Sequence, residues 1–172
     1  MPPMQEPKLE SQFGPRPRSG FMLIGWLAIC LAVAFHSMVC SWHGLPIWYA
    51  GLIKPPLNPP GHLLALAWAV LAVLAAFAVW IVWKTRPSPC RYRGLRLFWA
   101  QLILNFLWAW VFFARHQLLT SLVDVAALLV ALVLLILNFK KMSIWATWLM
   151  VPSLIWAVYL GYLNLAFWRL NP

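Results

Sequence analysis

Residues 62–84 read HLLALAWAVLAVLAAFAVWIVWK, and between His62 and Lys84 no side chain is ionisable. A helix rises about 1.5 Å per residue, so a run of this length crosses the roughly 30 Å of hydrocarbon in a bilayer. Backbone polar groups find no water there, and a helix satisfies them within one segment. Four further stretches, near residues 21–42, 97–115, 118–138 and 144–168, share this character. The sequence therefore predicts an all-α integral membrane bundle of five transmembrane helices over residues 21–172.

Composition agrees: 64% of the chain is hydrophobic and 9% is charged, too little polar surface to cover a water-soluble globule. The net charge of +10 does not point to nucleic acid. The Lys and Arg residues fall between the apolar runs rather than along one helix face or in a nucleic-acid motif. Five spans place residues 1–20, the loop after span two and the loop after span four on one side. Those segments hold Lys8, Arg16, Arg18, Lys84, Arg86, Arg91, Arg93, Arg96, Lys140 and Lys141, against Lys54, Arg115 and Arg169 on the other. The positive-inside rule then predicts a cytoplasmic N-terminus. Residues 1–20 are rich in Pro, Gly and charge and read as a disordered cytoplasmic tail without the pattern of a cleaved signal. Cys30, Cys40 and Cys90 are odd in number and lack metal-ligand spacing, so no metal site or disulfide framework is expected.

Of the 13 tryptophans, Trp42, Trp83, Trp99, Trp145, Trp148 and Trp168 fall near predicted helix ends, where indoles anchor at lipid headgroups. Trp68, Trp108, Trp110 and Trp156 lie deeper, where an indole needs a partner for its N–H or a cavity to line. Gln101, Asn105, Trp108 and Phe112 share one helical face, as do Pro152, Trp156, Tyr159 and Leu163. Both stripes are expected to look inward on a cavity among helices two, three and five. Gln101 and Asn105 read first as glue between helices. Asp124 is the one acid within a span, to be explained by pairing with Arg115, by a bond to a neighbouring helix, or by contact with a ligand. The loop WHGLPIWYAGLIKPPLNPPGH, residues 42–62, is too proline-rich for a regular helix and reads as a stiff lid. Lys54, Arg115 and His62 lie on its side of the membrane. Cations beside an aromatic slot suit a planar ligand that carries carboxylates, and His62 or His43 offers an axial nitrogen if that ligand is haem.

The run Trp48-Tyr49-Ala50-Gly51-Leu52, followed by Lys54-Pro55 and Pro59-Pro60, resembles the first-loop signature of the TspO/MBR family, the tryptophan-rich sensory and translocator proteins. Gln101, Asn105, Trp108 and Phe112-Phe113 stand at that family's third-helix spacing. Asp124 matches its fourth-helix acid, and Pro152, Trp156, Asn164 and Trp168 match its last helix. The likeness runs from about residue 21 to the end.

The resemblance implies a five-helix bundle, often a homodimer, whose pocket beneath the first loop takes porphyrins and, in animal members, cholesterol and drugs. By position its lining is Leu64, Ala65, Trp68, Asn105, Trp108, Trp156, Leu160 and Leu163. Porphyrin or haem is then the expected ligand, with no obligatory cofactor, and the expected role is that of a tetrapyrrole-binding sensor or translocator in the control of pigment metabolism or stress. Light-dependent porphyrin degradation, sterol or lipid transport, and a scaffold role for the small pair Ala28 and Ala32 are the alternatives. Leu57 and His62 stand where the family usually has Trp, Ala72 where it has Tyr, and Leu165 where its sterol motif has Tyr. These departures count against the enzymatic and sterol readings. A bacterial inner membrane is the expected location, with a bacterial or mitochondrial outer membrane as alternative.

Overall fold

The computed structural model describes residues 19–44 and 48–172. The tail predicted for residues 1–20 lies outside them up to residue 18, as does the side chain of His43. Within them run α1 (Ser19–Gly44), α2 (Gly61–Lys84), α3 (Pro89–Ala109), α4 (Leu118–Phe139) and α5 (Ile144–Leu170). All five are long and apolar enough to cross a membrane.

The helix ends follow local chemistry. Ser88 caps α3 by accepting from the Arg91 N–H at 3.2 Å, with Pro89 in the first turn, where its missing N–H costs nothing. Ser143 caps α5 in the same way through the Ala146 N–H at 3.4 Å. At the end of α2, Thr85 Oγ1 donates to the Val82 carbonyl at 2.7 Å. Helix α3 thus begins about two turns before the predicted residue 97. Arg91, Arg93 and Arg96 had marked that stretch as loop, yet cations are tolerated at a span's end, where their heads reach the interface. Trp99 is consequently well inside α3, 5.8 Å from the Trp26 ring, and not at a helix end.

The far end of this span widens into a π-helical turn, Trp110–Ala114, closed by the Arg115 N–H donating to the Trp110 carbonyl at 3.0 Å. The wider turn lets the successive residues Val111, Phe112 and Phe113 all bury themselves. Arg115, His116 and Gln117 then make the tight turn into α4, with His116 at a φ of 57°.

Helix α1 packs on α2 and α3, α2 on α5, α5 on α4, and α4 on α3, which closes a ring in the order α1, α2, α5, α4, α3. On α2 the inward face is made of small residues and the outward face carries larger ones. The buried set is Ala72, Ala75, Ala76, Ala78, Val79 and Val82, while Leu66, Val70 and Phe77 are exposed. With lipid as solvent the driving force is close backbone packing rather than removal of apolar surface from water. At one end of the ring lie Lys84, Arg86, Arg91, Arg93, Arg96, Lys140 and Lys141; at the other, Lys54, Arg115 and Arg169.

Candidate ligand cavity and its lid

The core divides into two clusters. The cluster on the side of the seven cations is built on Phe98, Leu128, Leu132, Phe139 and Met150. The cluster beneath the first loop is aromatic, with Trp108, Phe112, Phe113 and Phe167 at its centre and Tyr49, Trp68 and Trp156 packed against it. Three helices supply the indoles: Trp68 lies 5.7 Å from Trp108 and 6.5 Å from Trp156, the second pair edge to face. Phe112 stacks on Trp108 at 5.6 Å.

A buried polar hub fixes this cluster. Asn164 on α5 is 1% exposed, and its Oδ1 accepts from Trp108 Nε1 of α3 at 3.3 Å and from Ser121 Oγ of α4 at 2.8 Å. Its Nδ2 donates to the Leu160 carbonyl at 2.8 Å, within α5. The hub locks the indole of Trp108 and ties α3, α4 and α5 together. Ser121 was not singled out in the sequence, and nothing about one serine in an apolar run marks it as a partner.

Three small spaces adjoin between these helices. One, about 40 Å³, is enclosed by side chains of all five helices, among them Cys30, Trp68, Gln101, Leu128 and Trp156. The second, about 20 Å³, lies under Tyr49 and Pro59 and is bounded by Leu64, Trp108, Leu160 and Leu163. The third, also about 20 Å³, lies between α1 and α2 beside Leu64, Ala65 and Trp68. Each pair has a common wall: Leu160 between the first and second, Trp68 between the first and third, and Leu64 and Phe113 between the second and third. Pockets for drug-sized ligands hold roughly 300–1,000 Å³, so a large ligand needs the walls of these spaces to part.

The first loop forms the wall over the second space through Tyr49, Asn58 and Pro59. It starts in a short helical turn at residues 48–51 and runs irregularly to residue 60. Its bonds to α5 are made by side chains: Tyr159 donates to the Leu57 carbonyl at 2.6 Å and Tyr162 to the Pro56 carbonyl at 3.1 Å. Asn171 accepts from the Ile53 N–H at 2.9 Å and donates to the Ile53 carbonyl at 3.2 Å. Within the loop the Tyr49 hydroxyl donates to Asn58 Oδ1 at 2.6 Å. Burial pushes the Tyr49 phenol above its ordinary pKa, with the Asn58 bond opposing, so it keeps the proton it donates. Leu57 is held at a φ of 65°, a left-handed conformation that costs a branched side chain about 1–2 kcal/mol. Trp48 stacks on His116 at 4.4 Å and closes the loop against the turn after α3.

Of the residues singled out in the sequence, Leu64, Ala65, Trp68, Asn105, Trp108, Trp156, Leu160 and Leu163 all border these spaces. Lys54 does not: it is exposed, its Nζ 5.8 Å from the Tyr49 ring centroid. His62 is exposed at the start of α2 and borders none of the three, which leaves it unplaced to ligate a haem iron inside the closed bundle. No group of three or more His, Cys, Asp or Glu among the described residues is arranged to hold a metal. Trp110 turns outward, 43% exposed, with the Arg115 guanidinium 5.5 Å from its ring. The expected Asp124–Arg115 pair is therefore not made. Asp124 Oδ2 is buried without a hydrogen-bonding partner, so it does not lock α4 to a neighbour either. The Gln101 and Asn105 amides also differ from the glue reading, because Asn105 Nδ2 donates to the Gln101 carbonyl and Oε1 at 2.8 and 2.9 Å, both within α3.

Comparison with known proteins bears on what such a cavity serves. The TspO/MBR family profile matches residues 26–169. The tryptophan-rich protein TspO of Chlorobaculum tepidum is 34% identical over 150 residues, 85% of this chain and 93% of the relative. That of Archaeoglobus fulgidus is 33% identical over 87% of this chain and 96% of its own length. The human translocator protein is 32% identical over 72% of this chain and 75% of its own length.

Proposed function

Because the chain belongs to the TspO/MBR family, a family of membrane sensors and translocators, we propose that its cavity takes a flat, largely apolar ring bearing carboxylates, a porphyrin or haem. The observation that carries this reading is the convergence of Trp68, Trp108 and Trp156 from three helices beneath a lid held by side chains. Indole faces pack against a planar ring. Lys54 and Arg115, at the loop end of the bundle, meet carboxylates that remain near the headgroups. The N-terminus is on the cytoplasmic side in this reading, by the excess of cations at the opposite end. The spaces within the closed bundle are about tenfold too small for such a ligand, so binding begins with release of the first loop from Tyr159, Tyr162 and Asn171. Among the described residues no His, Asp, Glu, Lys or Arg borders the three spaces, so their walls carry no charged acid–base pair, which favours sensing or translocation over turnover.

Titration of the detergent-solubilised chain with protoporphyrin IX and haemin in the dark, followed by Trp fluorescence, tests the proposal. Saturable quenching is expected, weakened at least about fivefold in a Trp108→Leu, Trp156→Leu double variant, since each indole contributes roughly 0.5–1.5 kcal/mol of ring contact. Haemin and the metal-free ring should bind alike, and His62→Ala should leave the haemin absorption spectrum unchanged. Absence of saturable quenching would remove the tetrapyrrole reading. Because three indoles converge, light-dependent ring breakdown is the second reading: it predicts loss of porphyrin absorbance under illumination that stops in the double variant at saturating porphyrin.

A further inference from the structure

The cavity enclosed by all five helices has a floor whose polar groups are unbalanced. Gln101 and Trp156 both border it, and Gln101 Nε2 and Trp156 Nε1 are each buried with no hydrogen-bonding partner. Gln101 is 3% exposed. Each residue lies twelve positions beyond the first residue of its helix, Pro89 and Ile144, which sets both about 18 Å along the bundle from the end that carries seven cations. The orientation of the Gln101 amide is determined by its neighbour. Asn105 donates through Nδ2 to the Gln101 main-chain carbonyl at 2.8 Å, and a carbonyl accepts only; the same Nδ2 reaches Gln101 Oε1 at 2.9 Å. Oε1 is thereby engaged, and Nε2 is the end left over.

Two orphan donors at one depth, in a space without a charged side chain on its walls, select for a neutral acceptor. An anion there has no cation to pair with and is excluded by its desolvation cost. An ammonium group, which donates only, has nothing to accept from these N–H groups. We propose that the floor of the cavity is an acceptor subsite, in which Gln101 Nε2 and Trp156 Nε1 hold an uncharged carbonyl-type oxygen at the buried end of the ligand. The proposal rests on the reading of this cavity as the ligand site and concerns planar ligands, tetrapyrroles included, that carry a neutral carbonyl; protoporphyrin IX and haem carry oxygen only in their carboxyl groups. Gln101 then sets specificity, rather than joining helices. A space of about 40 Å³ also has room for two or three waters, and an ordered water is the competing occupant.

Fluorenone and fluorene share a planar tricyclic skeleton and differ by the carbonyl. Their affinities for the full detergent-solubilised chain, from Trp quenching corrected for partition into empty micelles, measure what the two donors discriminate. Two hydrogen bonds of ordinary strength predict a preference for fluorenone of about tenfold, with its carbonyl stretch moved to lower frequency. Gln101→Leu and Trp156→Phe should each cut that preference below about threefold and reverse part of the frequency shift. If Gln101→Leu fails to fold, Trp156→Phe with the carbonyl frequency carries the test alone. Equal affinities for the two compounds, the result expected of an ordered water only, overturn the subsite, as does a preference that survives both substitutions. Protoporphyrin IX titrated in the same preparations separates this claim from the last. Porphyrin binding without carbonyl discrimination removes the subsite alone, whereas carbonyl discrimination without porphyrin binding removes the porphyrin and keeps the subsite.

Discussion

Asn164 shows how much one amide does where water is absent. Its oxygen serves Trp108 and Ser121 from two other helices, and its nitrogen serves its own. Replacing it by Leu keeps the volume and leaves the Trp108 N–H buried without a partner. The expected cost is about 1–2 kcal/mol, within the span measured for such bonds between membrane helices. Thermal unfolding in detergent checks the value, and an unchanged midpoint would mean that the indole finds another acceptor. The bond also orients the ring on which Phe112 stacks, so the same variant should bind protoporphyrin more weakly. Gln101 contrasts with it: an amide of the same chemistry whose bonds stay within α3, and whose spare N–H is left for something else to use.

At the scale of elements, two contacts carry distinct consequences. Helices α3 and α4 meet closely at Gly94, where an added Cβ would lie 2.6 Å from Asn138 Oδ1 and 3.2 Å from the Phe139 ring. Gly94→Ala must push Asn138 away from its 3.6 Å contact with the Cys90 sulfur, and overpacking of this kind costs about 1–3 kcal/mol. A lowered unfolding midpoint with unaltered porphyrin affinity is the expected outcome, because Gly94 is far from the indoles along α3. The other contact is the latch between the first loop and α5. Tyr159→Phe combined with Asn171→Ala removes three hydrogen bonds to the loop, partly exposed and so worth about 1–2 kcal/mol together. Amide exchange over residues 49–60 should quicken about tenfold, and porphyrin should associate faster. Unchanged exchange would show that the Tyr49 packing against Phe112 and Phe167, rather than the latch, keeps the loop closed.

For the whole molecule, the charge asymmetry makes a prediction about insertion that the native cysteines can report. Cys30 and Cys40 are buried in the bundle, while Cys90 is half-buried at the start of α3, at the end that carries seven cations. A membrane-impermeant maleimide should therefore modify Cys90 in inside-out vesicles and leave right-side-out vesicles unlabelled. Labelling from the opposite side would invert the topology and put the first loop in the cytoplasm. The ring order α1, α2, α5, α4, α3 also explains why one cavity has walls from every helix. Each helix is short of polar groups, and the amides and the serine nearest the indoles lie on the inner side: Gln101 and Asn105 from α3, Ser121 from α4, Asn164 from α5.

The class of fold, the number of spans and their bounds, apart from the start of α3, were legible in the sequence. Hydrocarbon thickness sets the length of a span, and the charges between runs mark where each one ends. The inward stripe Gln101, Asn105, Trp108 and Phe112 was legible too, because helical periodicity is local. Pairings between helices were not. Nothing along the chain says that Trp108 bonds to Asn164 rather than to a ligand, that Arg115 turns to Trp110 and leaves Asp124 alone, or that His62 stays outside the cavities. Such choices depend on which faces the ring order brings together and on how far a loop folds back, and both are properties of the packed bundle. Tertiary structure also decided how small the cavity is, since its volume is what remains after side chains from five helices have met.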